Sequence, residues 1–305
     1  MSVVVPERLR SRFGPRLKVN EPLAVHTSFR IGGPADLFVS AKSREDIVDA
    51  IREANLLGIP WTILGRGSNV LVDDLGIRGL VIRNDAVQML LNHEEGLVTA
   101  DSGVRLPTLG AQTAKAGFTG LEWTVGIPGS VGGAVVMNAG AHGGCVADTL
   151  IQAEVLIGGE RVSRAVAALD YSYRTSRLQS ERNVIVLGAD FRMTACDRRE
   201  ALDRIQSYRR HRQDTQPTDA GAGSIFRNPP GQSAGALIDR AGLKGTRRGG
   251  ALISPKHGNF IVNIDHATAA DVYWLIDYVR EAVGTTFGIS LQTEVEMLGP
   301  SGHLR

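Results

Sequence analysis

Between Gly126 and Gly144, seven of nineteen residues are glycine. Neither a long helix nor a long strand tolerates that density, because each glycine loses more backbone freedom on folding and offers no side chain to pack. The run reads Gly126-Ile127-Pro128-Gly129-Ser130-Val131-Gly132-Gly133-Ala134, then Met137-Asn138-Ala139-Gly140-Ala141-His142-Gly143. A segment so bare leaves volume that close packing must fill, and a flat or elongated cofactor would fill it. The plainer alternative is a loop lying on another backbone, yet loops this long and glycine-dense are usually functional.

A second glycine loop precedes it. Asp36-Leu37-Phe38-Val39-Ser40-Ala41 predicts a strand, and Ser43 with Asp46 predicts a helix start. Ile47, Ala50, Ile51 and Ala54 share one helical face, Gly58 supplies a stop, and Trp61-Thr62-Ile63-Leu64 is a second buried strand. This βαβ unit leads into Gly65-Arg66-Gly67-Ser68-Asn69-Val70, whose glycines would let backbone N–H groups converge on an anion. It is not a Rossmann loop, since Val70 stands where the third glycine belongs and the strand pattern Val70-Leu71-Val72 follows.

With 305 residues the chain exceeds one ordinary hydrophobic core, and two or three domains are expected. Gln152 to Val162 predicts a hairpin turning at Gly158-Gly159, and Val184 to Leu187 a buried strand. A boundary falls near Cys196. Asp197 and Glu200 then cap a helix with Ala201, Ile205 and Tyr208 on its apolar side. Gly223-Ser224-Ile225-Phe226 leads into a strand, and a last helix starts at Thr268. That helix carries Val272, Leu275, Ile276, Val279 and Val283 on one face and stops at Gly284, before a closing strand from Leu291 to Leu298.

The net charge of +2 is too small to draw a nucleic-acid or membrane partner through the overall field. Cys145 and Cys196 form no C-x-x-C pair, and no histidine or acidic spacing suggests a metal. The short run Val3-Val4-Val5 is not a signal peptide, and no apolar stretch approaches the roughly 18 residues of a membrane span. A cytoplasmic chain with small-molecule partners is expected.

Several motifs occur in order. They are His26-Thr27-Ser28-Phe29-Arg30-Ile31-Gly32-Gly33, the G-x-G-S-N loop, the long glycine run, Tyr173-Arg174-Thr175-Ser176, Ala222-Gly223-Ser224-Ile225-Phe226-x-Asn228-Pro229 and His257-Gly258-Asn259-Phe260. This ordered set resembles the UDP-N-acetylenolpyruvoylglucosamine reductase family across nearly the whole chain. The resemblance implies an α+β architecture: a vanillyl-alcohol-oxidase-type (PCMH) FAD-binding domain over residues 1–196, in two subdomains split near 80–95, then a C-terminal α+β substrate domain over 197–305. It implies non-covalent FAD and NADPH as hydride donor, in a monomer that makes UDP-N-acetylmuramate for peptidoglycan. The FAD contacts would be Gly65, Arg66, Gly67, Ser68, Asn69 and Val70 in one loop, and Gly126, Ile127, Pro128, Gly129, Ser130, Gly132, Gly133, Asn138, Ala139, Gly140 and Gly143 in the other. The spacing from Arg174 to Ser224 matches the shorter form of the family, so no contact from the additional substrate-covering loop is carried over.

Arg174, Ser224 and Glu294 match the family's catalytic set, and Tyr173 and Asn228 are implied substrate contacts. Hydride added to a vinyl carbon beside a carboxylate leaves charge that a fixed guanidinium stabilises, which suits Arg174. Glu294 would share a proton with that carboxylate, and Ser224 would protonate the carbanion. Glu296, two residues on, shares a strand face with Glu294 and is the alternative glutamate. Arg198, Arg199, Arg204, Arg209, Arg210 and Arg212 crowd one predicted helix, which is either a solvated face or, at Arg209 and Arg212, a contact for the pyrophosphate of a UDP-sugar. Two other functions stay open on the residues alone: an oxidase of the same FAD fold, and an anion-binding module built on the arginine helix.

Overall fold

Alternation along Pro34–Ala41 gives this strand two apolar faces, and both are covered in the computed structural model, which describes residues 5–181 and 183–304. The Val3-Val4-Val5 run therefore begins outside the described residues. On one face Ile47, Ala50 and Ile51 of helix Arg44–Leu56 pack against Leu37, Leu80 and Ile82. The Ser43 hydroxyl accepts the Asp46 N–H at 3.1 Å, the cap its spacing predicts. The other face carries Leu23, Phe38, Leu64 and Val81. Strands Pro34–Ala41 and Trp61–Leu64 both run parallel to Ile77–Asn84, which lies between them, and Leu17–Pro22 is antiparallel at the edge. The βαβ unit is thus present with a third strand inserted.

The second sheet is antiparallel throughout, in the order Glu160–Ala165, Leu150–Ile157, Ile185–Arg192, Leu97–Asp101, Met89–Asn92. Its hairpin turns at Gly158 and Gly159, at φ 59° and 92°. The glycine-rich run yields only the short helix Val131–Met137, which buries Val131, Ala134 and Val135 against this sheet, and a hairpin of Gly140–Ala141 with Gly144–Cys145. Helix Arg198–Thr215 begins at Asp197, whose carboxylate accepts the Arg199 and Glu200 N–H groups at 2.7 and 3.1 Å. Its Ala201 and Ile205 pack with Ala114 and Val125, so this helix lies on the first half of the molecule.

The C-terminal part is a four-stranded sheet, Ala220–Gly221, Ile261–Asn263, Ala251–Ile253 and Arg247–Arg248, with helices Ala234–Arg240 and Ala269–Phe287 sharing its core. The last helix buries Val272, Leu275, Ile276, Val279 and Val283, as its periodicity predicts, but it does not stop at Gly284. An interior glycine costs a helix only about 1 kcal/mol. Phe287 still packs on the core, and the left-handed cap falls at Gly288, φ 67°. The expected strand from Leu291 to Leu298 is split: Thr293 makes an isolated bridge with Phe226, and the ladder begins at Glu296. Nor does Gly223-Ser224-Ile225-Phe226 lead into a strand: Gly223 turns the chain at φ 76°, Phe226 makes only the isolated bridge, and Ile225 gives its one carbonyl to both Glu294 and Val295.

No helix among the described residues is long and apolar enough to cross a membrane. Among them, no group of three His, Cys, Asp or Glu side chains could hold a metal.

Charged side chains join the halves, and Asp74 is one of them. The Asp74 carboxylate accepts the Ala269 and Ala270 N–H groups at 2.8 and 3.2 Å, placing a negative charge from the first half on the N-terminus of the last helix. Asp74→Ala is expected to lower unfolding stability by about 1 kcal/mol, with Asp74→Asn retaining most of it. Denaturant titration of both variants measures this, and an unchanged Asp74→Ala would show that the helix's own cap at Thr268 suffices.

Candidate functional site

The two glycine loops are neighbours. A β-carbon on Gly65 would lie 2.9 Å from the Ser130 Oγ, and one on Gly129 would lie 3.7 Å from the Ser68 Oγ. Gly67, at φ 63°, folds so closely on His26 that a β-carbon would meet its carbonyl oxygen at 2.2 Å. Ser28 fixes this approach: its N–H donates to the Gly67 carbonyl at 2.9 Å and its hydroxyl to the Gly221 carbonyl at 2.7 Å. The motif from His26 to Gly33 thereby ties the first loop to the C-terminal sheet.

Adjacent glycines in the second loop serve different ends. Gly132 approaches Ser102, whose β-carbon would be 2.9 Å from one added there, and its N–H donates to the Ser102 carbonyl at 2.8 Å. Its missing side chain clears room for protein, not for a cofactor as the sequence suggests. Gly133 and Gly143 face open space, with no heavy atom within 4 Å of an added β-carbon. Both are exposed, so their missing side chains are not needed for packing and leave room at the surface beside the loop.

Against the glycine-rich run stands Arg174. Tyr173 and Arg174 form a tight turn between Ser172 and Thr175, which exchange two backbone hydrogen bonds of 3.1 Å. The turn hangs on the end of helix Val131–Met137, because Asn138 Nδ2 donates to the Ser172 carbonyl at 2.9 Å and Gln179 Nε2 to the Val136 carbonyl at 3.1 Å. Arg174 is held at φ 55°, where a long side chain is strained. Its guanidinium is fixed twice: Nε donates to Glu294 Oε1 at 3.0 Å and Nη2 to the Gly140 carbonyl at 2.7 Å.

Glu294 arrives from the far end of the chain. Its N–H donates to the Ile225 carbonyl at 2.8 Å, which sets it against the segment carrying Ser224. Asn69 of the first loop donates to the Glu294 carbonyl at 3.1 Å and accepts the Glu296 N–H at 3.0 Å. Burial pushes the Glu294 carboxyl above its ordinary pKa, against the pull of the Arg174 and Arg227 cations. Glu296 instead enters the ladder opposite Val70, so of the two glutamates it is Glu294 that Arg174 engages.

The remaining expected residues are less concentrated. Ser224 is half-buried, one residue from Ile225. Asn228 accepts the Ala234 N–H at 3.0 Å, and Tyr173 is exposed, its ring 5.2 Å from the Arg174 guanidinium carbon. Arg209 is exposed, whereas Arg212 is half-buried and burial alone pushes its pKa down. Sequence reasoning passed over Arg227, the variable letter in the A-G-S-I-F-x-N motif, although its place between Phe226 and Asn228 was a usable signal.

A family model described as an FAD binding domain matches residues 35–165. A second, described as the C-terminal domain of UDP-N-acetylenolpyruvoylglucosamine reductase, matches residues 216–298. The UDP-N-acetylenolpyruvoylglucosamine reductase of Bacillus subtilis is 43% identical over 300 residues, covering 97% of this chain and 98% of that protein. That of Anoxybacillus flavithermus is 44% identical over 296 residues, covering 96% and 97%. The crystal structure of UDP-N-acetylenolpyruvylglucosamine reductase from Thermus caldophilus superposes with a TM-score of 0.79 at 38% identity, covering 92% of this chain and 97% of that one.

The ion pair makes a prediction that needs no ligand. Arg174→Ala removes a cation that holds the Glu294 pKa down and leaves burial less opposed, so the Glu294 midpoint should move upward. Carboxyl-carbon NMR titration reads it, and an unmoved midpoint would mean that the pair does not form in solution.

Proposed function

The chain belongs to the UDP-N-acetylenolpyruvoylglucosamine reductase family, and we propose that it reduces the enolpyruvyl group of that sugar nucleotide to UDP-N-acetylmuramate in peptidoglycan synthesis. The observation that carries the reading is the Arg174–Glu294 pair, tied through Gly140 to one glycine loop and through Asn69 to the other. The open surface at Gly133 and Gly143 leaves room for the FAD that the matching FAD-binding domain model implies, with Gly65 to Val70 as the second loop that would hold it. When bound, FAD supplies the two-electron carrier between NADPH and the substrate.

Arg174 is the charge stabiliser. Its guanidinium is already fixed by two acceptors, so it meets the negative charge developing on the substrate carboxylate with little reorganisation. Glu294, with its raised pKa, carries the proton that lets a second carboxylate approach. Ser224 delivers the proton that completes the product, since a weak acid serves only a strongly basic carbon. Arg212, desolvated without a compensating partner charge, suits the substrate pyrophosphate better than exposed Arg209, with Tyr173 and Asn228 lining the approach.

In this reading residues 1–196 hold the cofactor in two subdomains parted near 80–95, and 197–305 take the sugar nucleotide. The cysteines are free, in keeping with a cytoplasmic enzyme, and we read it as a monomer.

Two outcomes test it. Gly133→Leu should fold but purify with little flavin, because its side chain enters the space left open for the cofactor; full flavin content would remove this loop from the cofactor site. Ser224→Ala should leave flavin reduction by NADPH nearly intact and slow reoxidation by the enolpyruvyl substrate about 10²- to 10⁴-fold, the usual loss of a positioned general acid. Stopped-flow flavin absorbance separates the two halves, and reoxidation at the unmutated rate would exclude Ser224 as the proton donor.

A further inference from the structure

The Gly140–Ala141 and Gly144–Cys145 hairpin turns through only His142 and Gly143, at φ 54° and 85°. A two-residue turn of this kind wants asparagine or glycine at its first position, because most longer side chains are strained there. Histidine at 142 is among the few non-glycine residues that take such a φ readily, and its ring is engaged. It stacks face to face on Tyr208 of helix Arg198–Thr215, with ring centroids 4.1 Å apart and planes 7° from parallel. His211, one turn along the helix, meets it edge-on at 5.5 Å, and His142 Nε2 would lie 3.4 Å from a β-carbon on Gly126. One ring therefore joins the hairpin, the start of the glycine loop and the helix.

We propose that His142 and Tyr208 are positioning residues for the reaction, a clasp that acts on Arg174 through the Gly140 carbonyl. Gly140 opens the hairpin whose tip is His142, and its carbonyl accepts from Arg174 Nη2 at 2.7 Å. The Glu294 carboxylate fixes only the Nε side of the guanidinium, so the plane and reach of Arg174 depend on where Gly140 stands. The hairpin has two short strands of its own, paired only to each other. Stacking on a helix anchored elsewhere, by Ala201 and Ile205 on Ala114 and Val125 and by the Arg204–Glu122 ion pair at 2.9 Å, gives it a fixed outer support. Neither ring touches the reacting atoms in this account, which rests on the assignment of Arg174 as charge stabiliser.

The test uses His142→Gly, Tyr208→Ala, their double variant, Tyr208→Phe and Arg174→Ala, each loaded with FAD. His142→Gly keeps a turn residue suited to positive φ and should melt near the parent temperature with parent flavin content. Reoxidation of reduced flavin by the enolpyruvyl substrate should nonetheless fall on the order of 10- to 100-fold in both single variants, in maximal rate more than in half-saturating substrate, as expected for a displaced charge stabiliser. Reduction by NADPH should not change. The double variant should be no slower than the worse single one, since both break the same stack, and Tyr208→Phe should restore the parent rate. Parent reoxidation rates in both single variants while Arg174→Ala is slow would overturn the clasp and leave the Arg174 assignment standing. Additive effects in the double variant, or an unrescued Tyr208→Phe, would also overturn it. A parent rate in Arg174→Ala itself would instead undo the reading beneath.

Discussion

Parallel pairing of Glu296–Gly299 with Val70–Val72 joins the end of the chain to the exit of the first glycine loop, and the geometry of the site follows from it. Side chains on a strand alternate in direction, so Leu71 and Val72 enter different cores. Leu71 packs with Ile225, Leu291 and Val295, whereas Val72 packs with Phe38, Leu64 and Leu298. The short strand is a wall shared by the two halves. Any slip of register there would expose one set and misplace Asn69, whose side chain and carbonyl brace the backbone on either side of Val295. The place of Glu294 relative to the first glycine loop is thereby written into hydrophobic packing rather than left to flexible side chains.

What that frame supports is not favourable in itself. Arg174 is strained at positive φ, and Glu294 is half-buried, its carboxyl pushed above its ordinary pKa by desolvation. A carboxylate whose pKa is raised on folding binds a proton in the native state that the unfolded chain releases above its ordinary value of 4.5. Stability is therefore lost as pH rises from there through the native pKa, and Arg174 and Arg227 only limit the loss. Replacing such a pair by apolar residues often costs nothing or stabilises. Its presence, with two further bonds spent on orienting the arginine turn through Asn138 and Gln179, fits a site selected for chemistry at the expense of stability.

Much of this was legible in the sequence where one local rule governs. Ser43, Asp197 and Thr268 cap the helices their spacing predicts, and Gly158-Gly159 turns the predicted hairpin, because caps and turns depend on a few adjacent residues. Gly284 misled, since a glycine stops a helix only where the fold needs a left-handed residue, and that need arises four residues later. Gly132 and Gly133 are equivalent in sequence but point about 100° apart around the helix, so only the structure separates the glycine that packs on Ser102 from the one left exposed. Long-range partners were silent altogether. Nothing near Asp74 announces that it caps a helix 195 residues away, and nothing near His142 announces Tyr208.

Helix Arg198–Thr215 shows how such partners give the molecule its working shape. Its first turns lie on Ala114 and Val125, and its far end is bound by Lys256, whose ammonium donates to the Gln213 carbonyl. The helix is thus pinned to both halves of the chain, and a shift of one half against the other would reach Arg212, on its last turn, directly. A desolvated guanidinium with no partner charge is costly until an anion meets it. A pyrophosphate at Arg212 would supply that charge while holding the two halves together, so the binding energy of the remote end of the substrate would also steady the Ser224 segment against Glu294 and Arg174. The charge run that composition alone reads as a solvated face then holds two residues with a place of their own, Arg204 on Glu122 and Arg212.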